Sequence, residues 1–248
     1  MCDTDDRILS AFPVRVYVTD ISRPETFYYR WYDAMPQERR ERADRFRMEA
    51  DKKRCIMAYA LLTKAVNELA ANLGMEDEWG LTTGQDGMTE ELSMTYNSDG
   101  KPYFENIPVH FNISHAGERV MVALSPRPVG CDVEHKSKDA LNIAKRFFTG
   151  CEYEALLGVT DETKRLHEFT RLWTLKESVV KCCGEGIRHS FNDFSLLDNE
   201  GEHKSIIKLN SENDTYHIRE FPGENGYCYS CCSAYGRFED ELRRWYEA

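Results

Sequence analysis

WTLKESVVK, Trp173–Lys181, is the stretch on which the reading of this chain turns. Residues four apart share a helical face, so Trp173, Glu177 and Lys181 form one stripe. Taken alone, the stripe needs no more than a surface helix with a Glu-to-Lys pair worth about 0.2–0.5 kcal/mol. A second stretch, VGCDVE (Val129–Glu134), reads as a strand with Asp132 and Glu134 on one face and Cys131 and Val133 on the other. Carboxylates at i and i+2 repel unless water or a cation separates them. A solvated edge strand is one account. The other is a hard-cation site, because Mg²⁺ takes one or two carboxylates, several waters and substrate phosphates. Glu177 is the natural third oxygen donor for it.

The chain has 248 residues, 41% of them hydrophobic, enough for one large domain or two smaller ones and for a substantial core. No apolar run reaches the about 18 residues of a membrane span, so no membrane association is expected. MCDTDDRILS carries three aspartates where a secretory signal is positive, which points to the cytoplasm. Nine cysteines, an odd number irregularly spaced, suit reduced thiols better than a disulfide framework. Cys228 and Cys231 form a single C-x-x-C inside the aromatic-rich YCYSCCSAY, which reads as a strand of buried thiols rather than a zinc site. The net charge of −11 argues against nucleic acid as a partner. Between Glu38 and Arg54, however, eight basic and five acidic residues give +3, leaving −14 for the remainder. A basic island in an acidic chain suggests a local anion site.

Along the chain, VRVYVTD (Val14–Asp20) alternates as an opening strand, and a long helical region is expected from Pro36 to Leu73. Loops with short strands should fill 74–100. Val109–Ser125 reads as a hairpin about Ala116-Gly117-Glu118. Ser125–Gly130, with two prolines, is the expected linker between two lobes, 1–125 and 126–248. Beyond it come a strand, helices at 141–148, 152–157 and 162–183, and strands at 194–197, 205–209, 216–221 and 227–234. FEDELRRWYEA should close the chain as a helical turn packed through Trp245.

FNISH (Phe111–His115) sets Ser114 and His115 on opposite faces of a strand, which disfavours a nucleophile–base pair but leaves each able to contact phosphate. GKP (Gly100–Pro102) puts Lys101 in a turn. In order, GKP, FNISHAG, VGCDVE, IAKRFFT, CEYEAL and LWTLKESVVKCCGEGI closely resemble the Sfp-type 4′-phosphopantetheinyl transferases from Gly100 to about Ile187. The basic ERRERADRF resembles that family's coenzyme A-binding segment.

The resemblance implies an α+β fold of two similar α/β lobes related by a pseudo-two-fold axis, with the active site in the cleft between them. It implies Mg²⁺ on Asp132, Glu134 and Glu177, with coenzyme A as co-substrate and an apo acyl or peptidyl carrier protein as partner. Lys181 matches a lysine near the reacting phosphates. Ser114, His115 and Lys101 match contacts to the coenzyme, and Arg39, Arg42 and Arg54 align with residues around its 3′-phosphate and adenine. Glu177 is the expected base, and Lys176, off the stripe, should face phosphate or water. Cys131 departs from the Ile or Val usual there. A Mg²⁺-dependent phosphohydrolase acting on coenzyme A and a non-catalytic coenzyme A- or carrier-binding module are the rival readings. Two lobes can form the cleft within one chain, so a monomer is expected.

Overall fold

The computed structural model describes residues 12–81, 92–98, 100–135, 140–184, 191–198, 201–209 and 215–245. The first half of the chain builds β1 (Arg15–Asp20), α1 (Glu25–Ala34), α2 (Gln37–Asp44), α3 (Glu49–Leu73), a minimal hairpin of β2 (Thr95–Tyr96) and β3 (Pro102–Tyr103), then β4 (His110–Ala116) and β5 (Arg119–Ser125). The second half supplies β6 (Val129–His135), α4 (Ala140–Phe147), α5 (Gly150–Gly158), α6 (Glu162–Cys183), β7 (Ile206–Lys208), β8 (Thr215–Phe221) and β9 (Tyr227–Ser233), and it ends with β10 (Arg243–Arg244). The fold is mixed α/β. One four-stranded sheet runs β10-β1-β5-β4 and the other β6-β9-β8-β7.

Strand alternation sets the layers. On β1, Tyr17 joins the core under α3, while Val16 and Val18 join a second cluster that also holds Met121, Ala123, Val129, Cys131, Val133 and Tyr229. That cluster lies between the two sheets. A third cluster surrounds α6 through Phe169, Leu172, Val179 and Ile218. The long helices therefore cover the outer faces, where their apolar sides leave water. Cys131 is fully buried between the sheets, a small thiol in an aliphatic position.

Several expectations need correction. The region from Pro36 to Leu73 is two helices, broken at Arg45–Met48, where Met48 is extended (φ −95°, ψ 131°). The sequence QERRERAD has almost no apolar face, and the break lets α2 turn so that only Arg39 and Ala43 are buried. Helix α1 was not anticipated, although Tyr28 and Trp31, three apart, are its buried positions. In place of a strand at 194–197 there is a 3₁₀ turn at Phe191–Asp193 and a single bridge from Leu197 to His203. The C-terminal segment is strand rather than helix: Tyr17 pairs with Arg243 and Val18 with Arg244 in parallel, and Trp245 packs on Phe27 and Trp31. The first sheet thus takes an edge strand from the end of the chain. The expected linker is a tight three-residue link between β5 and β6, with the Ser125 and Ser233 hydroxyls 3.0 Å apart across it.

Among the described residues, no helix is long and apolar enough to cross a membrane. All eight described cysteines are free. The Met1–Ser10 stretch, Glu185–Ile187 and most of the loop region after Leu81 lie outside the described residues.

Candidate active site

Strands β4 and β6, edges of different sheets, run side by side and are joined through side chains. The Asn112 amide oxygen accepts the Cys131 N–H at 2.9 Å, and the Ser114 hydroxyl lies 3.4 Å from the Val133 N–H. This seam turns Ser114 towards Asp132, whose Oδ1 accepts its hydroxyl at 2.8 Å. On β6, Gly130, Asp132 and Glu134 face α6. A Cβ at Gly130 would stand 2.2 Å from the Ser178 carbonyl oxygen and 2.3 Å from the Cys182 nitrogen, so helix and strand are in backbone contact there. That closeness lets Lys181 reach Asp132: its Nζ is 2.5 Å from Oδ1 and 3.2 Å from the Ser114 hydroxyl.

The electrostatics are out of balance. Oδ2 of Asp132 is buried with no hydrogen-bond partner. Burial pushes the Asp132 carboxyl up against the opposing pull of Lys181 and Ser114. Burial and the Asp132 charge push Glu134 up to about 7. Glu177 is raised by burial, with Asp132 adding to it. Burial works against the Lys181 charge, but Asp132 and Glu177 outweigh it and hold the ammonium protonated. An orphaned carboxylate oxygen and two acids unwilling to ionise are what a site shaped for an added cation looks like without one. The donors are hard oxygens, which fits a magnesium-type ion. Among the described residues, no three His, Cys, Asp or Glu side chains are already gathered closely enough to hold a metal, and Lys181 occupies Oδ1.

These groups line a cavity of about 360 Å³ together with Arg39, Arg42, Phe46, Cys55, Gly100, Pro102, Asn112, Ser114 and His115. Arg39 and Arg42 come from α2, so the helix break places part of the basic island beside the acids. Arg39 is buried, with one guanidinium nitrogen 3.3 Å from the Tyr96 hydroxyl and its Nε unpartnered. Arg42 is exposed. His115 also reaches solvent, and its pKa is lowered by desolvation at the cavity wall and by Arg54 and Lys181.

Two expected contacts are not in the cavity wall. Arg54 donates to the Gly117 carbonyl at 2.7 Å and pairs with Asp51. Lys101 turns away while its neighbours Gly100 and Pro102 line the cavity, and its Nζ donates to the Lys181 carbonyl at 2.7 Å and the Val129 carbonyl at 3.2 Å. Lys176 faces neither phosphate nor water. It is fully buried, 2.9 Å from Glu152, and donates to the Phe191 and Phe194 carbonyls at 2.7 and 2.8 Å. Trp173 packs among Phe147, Phe148, Phe169 and Phe191. Sequence reasoning missed Asn112, although its place two residues before Ser114, on the same strand face, was the available signal.

A basic wall, a serine–histidine pair and three acids with a lysine thus face one cavity. Comparison with known proteins gives the family. The family model of the 4′-phosphopantetheinyl transferase superfamily matches residues 128–232. A 4′-phosphopantetheinyl transferase of Bacillus subtilis is 30% identical over 210 residues, covering 84% of this chain and 86% of that protein. The 4′-phosphopantetheinyl transferase Sfp of Bacillus subtilis strain 168 is 28% identical over 214 residues, covering 86% and 88%. The chain belongs to the 4′-phosphopantetheinyl transferase family. Among solved structures, the holo-[acyl-carrier-protein] synthase of Thermotoga maritima matches at 22% identity with a TM-score of 0.33, over 44% of this chain and 64% of that one.

Proposed function

We propose that this chain moves the 4′-phosphopantetheine group from coenzyme A to a serine hydroxyl of an apo acyl or peptidyl carrier protein, releasing adenosine 3′,5′-bisphosphate. One observation carries the reading: a single cavity is lined by Arg39 and Arg42 on one side and by Asp132, Glu134, Glu177 and Lys181 on the other. A nucleotide with several phosphates bridges the two, its remote phosphates on the basic wall and its pyrophosphate at the acids.

Asp132, Glu134 and Glu177 would hold magnesium, which when bound neutralises pyrophosphate charge and stabilises the leaving phosphate. The orphaned Oδ2 of Asp132 and the raised pKa values of all three acids support that assignment. Arg39 and Arg42, with forked donors suited to phosphate, orient the nucleotide, and the Ser114 hydroxyl and His115 imidazole add donors beside them. Glu177 takes the proton of the incoming serine. Its place in the cavity wall beside Asp132 and Lys181 supports that role. Lys181, kept protonated, stabilises the departing phosphate oxygen.

In this reading the halves 1–125 and 126–248 act as lobes related by a pseudo-two-fold axis, with the cavity in the cleft between them. Three sheet strands and one long helix from the first half, and four sheet strands and one long helix from the second, support it, with β10 of the second half completing the first sheet. The protein works as a cytoplasmic monomer with reduced thiols, on coenzyme A and carrier protein rather than nucleic acid or membrane.

Intact-protein mass spectrometry of an apo carrier incubated with this protein, coenzyme A and Mg²⁺ tests the reading. A metal-dependent gain of one phosphopantetheine is expected. Coenzyme A consumed with no gain across several carrier classes would replace transfer with hydrolysis. Neither gain nor consumption would leave a binding module.

A further inference from the structure

Lys101 sits at a junction that the transfer chemistry does not by itself explain. Asn97 and Gly100 stand between β2 and β3. Gly100 takes φ +80°, its N–H donates to the Asn97 carbonyl at 3.0 Å, and the Asn97 side chain accepts the Lys101 N–H at 2.8 Å. The Lys101 backbone is therefore fixed, and its half-buried side chain crosses to the second half of the molecule. There its ammonium donates to the Lys181 and Val129 carbonyls at 2.7 and 3.2 Å.

Both carbonyls sit at informative places. Lys181 lies in the last turn of α6, whose final carbonyls have no partner within the helix. The N–H of Gly184, left-handed at φ +74°, satisfies the Val180 carbonyl at 3.3 Å. The Lys101 ammonium takes the next one, and a cation at a helix C-terminus also meets the negative end of the helix dipole. Val129 opens β6, the edge strand that carries Asp132 and Glu134. One ammonium thus ties together the ends of the two elements that bring Lys181 to Asp132. The Lys101 side chain lies against Gly184, its Cδ and Nζ each 3.9 Å from where a Cβ would stand, an ordinary packing distance.

We propose that Lys101 is a positioning residue, not a coenzyme contact: it caps α6 from the opposite half of the chain and fixes the turn that aims Lys181 at Asp132. The proposal rests on the transfer reading for its kinetic consequences. It accounts for the side chain turning away from a cavity that Gly100 and Pro102 on either side of it line. A coenzyme-binding lysine would leave its ammonium free towards that cavity.

The test is Lys101→Met, which keeps most of the stem and removes the donor. Steady-state transfer should show kcat reduced about tenfold or more, with KM for coenzyme A within about twofold of wild type. Hydrogen exchange should speed up at the amides of residues 181–184. A raised KM with kcat unchanged would overturn the proposal in favour of a coenzyme contact. Unchanged kinetics and exchange would overturn it outright. Should Lys101→Met fail to fold, Lys101→Gln, with one neutral donor, carries the test: intermediate kcat at unchanged KM supports the cap, and a raised KM overturns it. Wild-type protein that modifies no carrier would sink the transfer reading, while exchange at 181–184 would still decide the cap.

Discussion

Lys181 and Asp132 meet at 2.5 Å, and they do so on one oxygen only: Oδ1 takes the ammonium and the Ser114 hydroxyl, while Oδ2 is buried without a partner. An unpaired buried acceptor costs about 1–3 kcal/mol. In the function proposed above, a bound cation would satisfy that oxygen.

Asp132→Asn tests this directly. The amide keeps the shape but surrenders the charge that a cation and Lys181 both need. Transfer should fall by roughly 10²–10⁴-fold with the circular dichroism spectrum unchanged. Glu177→Gln should fall in the same range. Near-wild-type turnover in either variant would remove that residue from the chemistry.

Gly130 is required by space. A Cβ there would overlap the α6 backbone at Ser178 and Cys182, where neither partner is a flexible side chain. Gly130→Ala should therefore push α6 from β6, costing about 1–3 kcal/mol in stability and most of the activity. Gly150→Ala is the control, because nothing lies within 4 Å of a Cβ at that position. Thermal unfolding of both variants, with transfer assays alongside, separates the cases. Equal behaviour would mean that the contact between strand and helix yields freely.

How much of this was legible in the sequence can be seen at particular residues. The i, i+2 pair Asp132 and Glu134 and the i, i+4 stripe ending in Lys181 follow from strand and helix periodicity; Asp132, Glu134, Glu177 and Lys181 stand in the cavity wall, while Trp173, the first residue of the stripe, packs among phenylalanines. The span of α6 was readable because Asp161 caps it, accepting the Lys164 N–H at 2.8 Å, and Gly184 stops it. The fate of a long cationic side chain was not readable. Lys101, Lys176 and Arg54 all sit in stretches with the right spacing, yet each is drawn to carbonyls or carboxylates that only the tertiary fold supplies. The break in the long helix and the parallel pairing of β10 with β1 were hidden for the same reason. Both are decided by contacts far away in sequence.

Without metal, the three acids should make stability fall as pH rises, against the smaller opposite effect of His110 and His115, whose pKa values burial lowers. Glu134 is raised to about 7, so between its ordinary pKa of 4.5 and that value the folded chain holds more protons than the unfolded one. Below that window the group costs nothing, and through it each step up in pH favours unfolding. Asp132 and Glu177 are shifted in the same direction. In chelator, the midpoint of thermal unfolding should be higher at pH 5 than at pH 8, and Mg²⁺ should raise the pH 8 value most, since ligands that bind only the folded form stabilise it. Glu134→Gln should flatten the profile in chelator. A Glu134→Gln profile in chelator no different from wild type would contradict the picture of an uncompensated acid there.

Lys176 and Glu152 give the last prediction, one of stability with activity following. Both side chains are fully buried, 2.9 Å apart. Glu152 also accepts the Thr149 N–H at 2.9 Å and the Leu196 N–H at 2.8 Å, and Lys176 donates to two carbonyls of the 191–194 turn. The pair joins α5, α6 and that turn in the residue just before Glu177. Burial pushes the Lys176 pKa down and Glu152 opposes it, so removing either partner strands a charge in the core. Lys176→Met or Glu152→Gln alone should cost about 3–5 kcal/mol, the usual loss when a buried pair is broken. Lys176→Met combined with Glu152→Leu leaves no stranded charge, but it opens the Thr149 and Leu196 amides, so it should recover only part of the loss. Chemical denaturation of the three variants measures this. If either single variant were as stable as wild type, the lysine would not be the structural partner of Glu152, and a role towards phosphate would again be open.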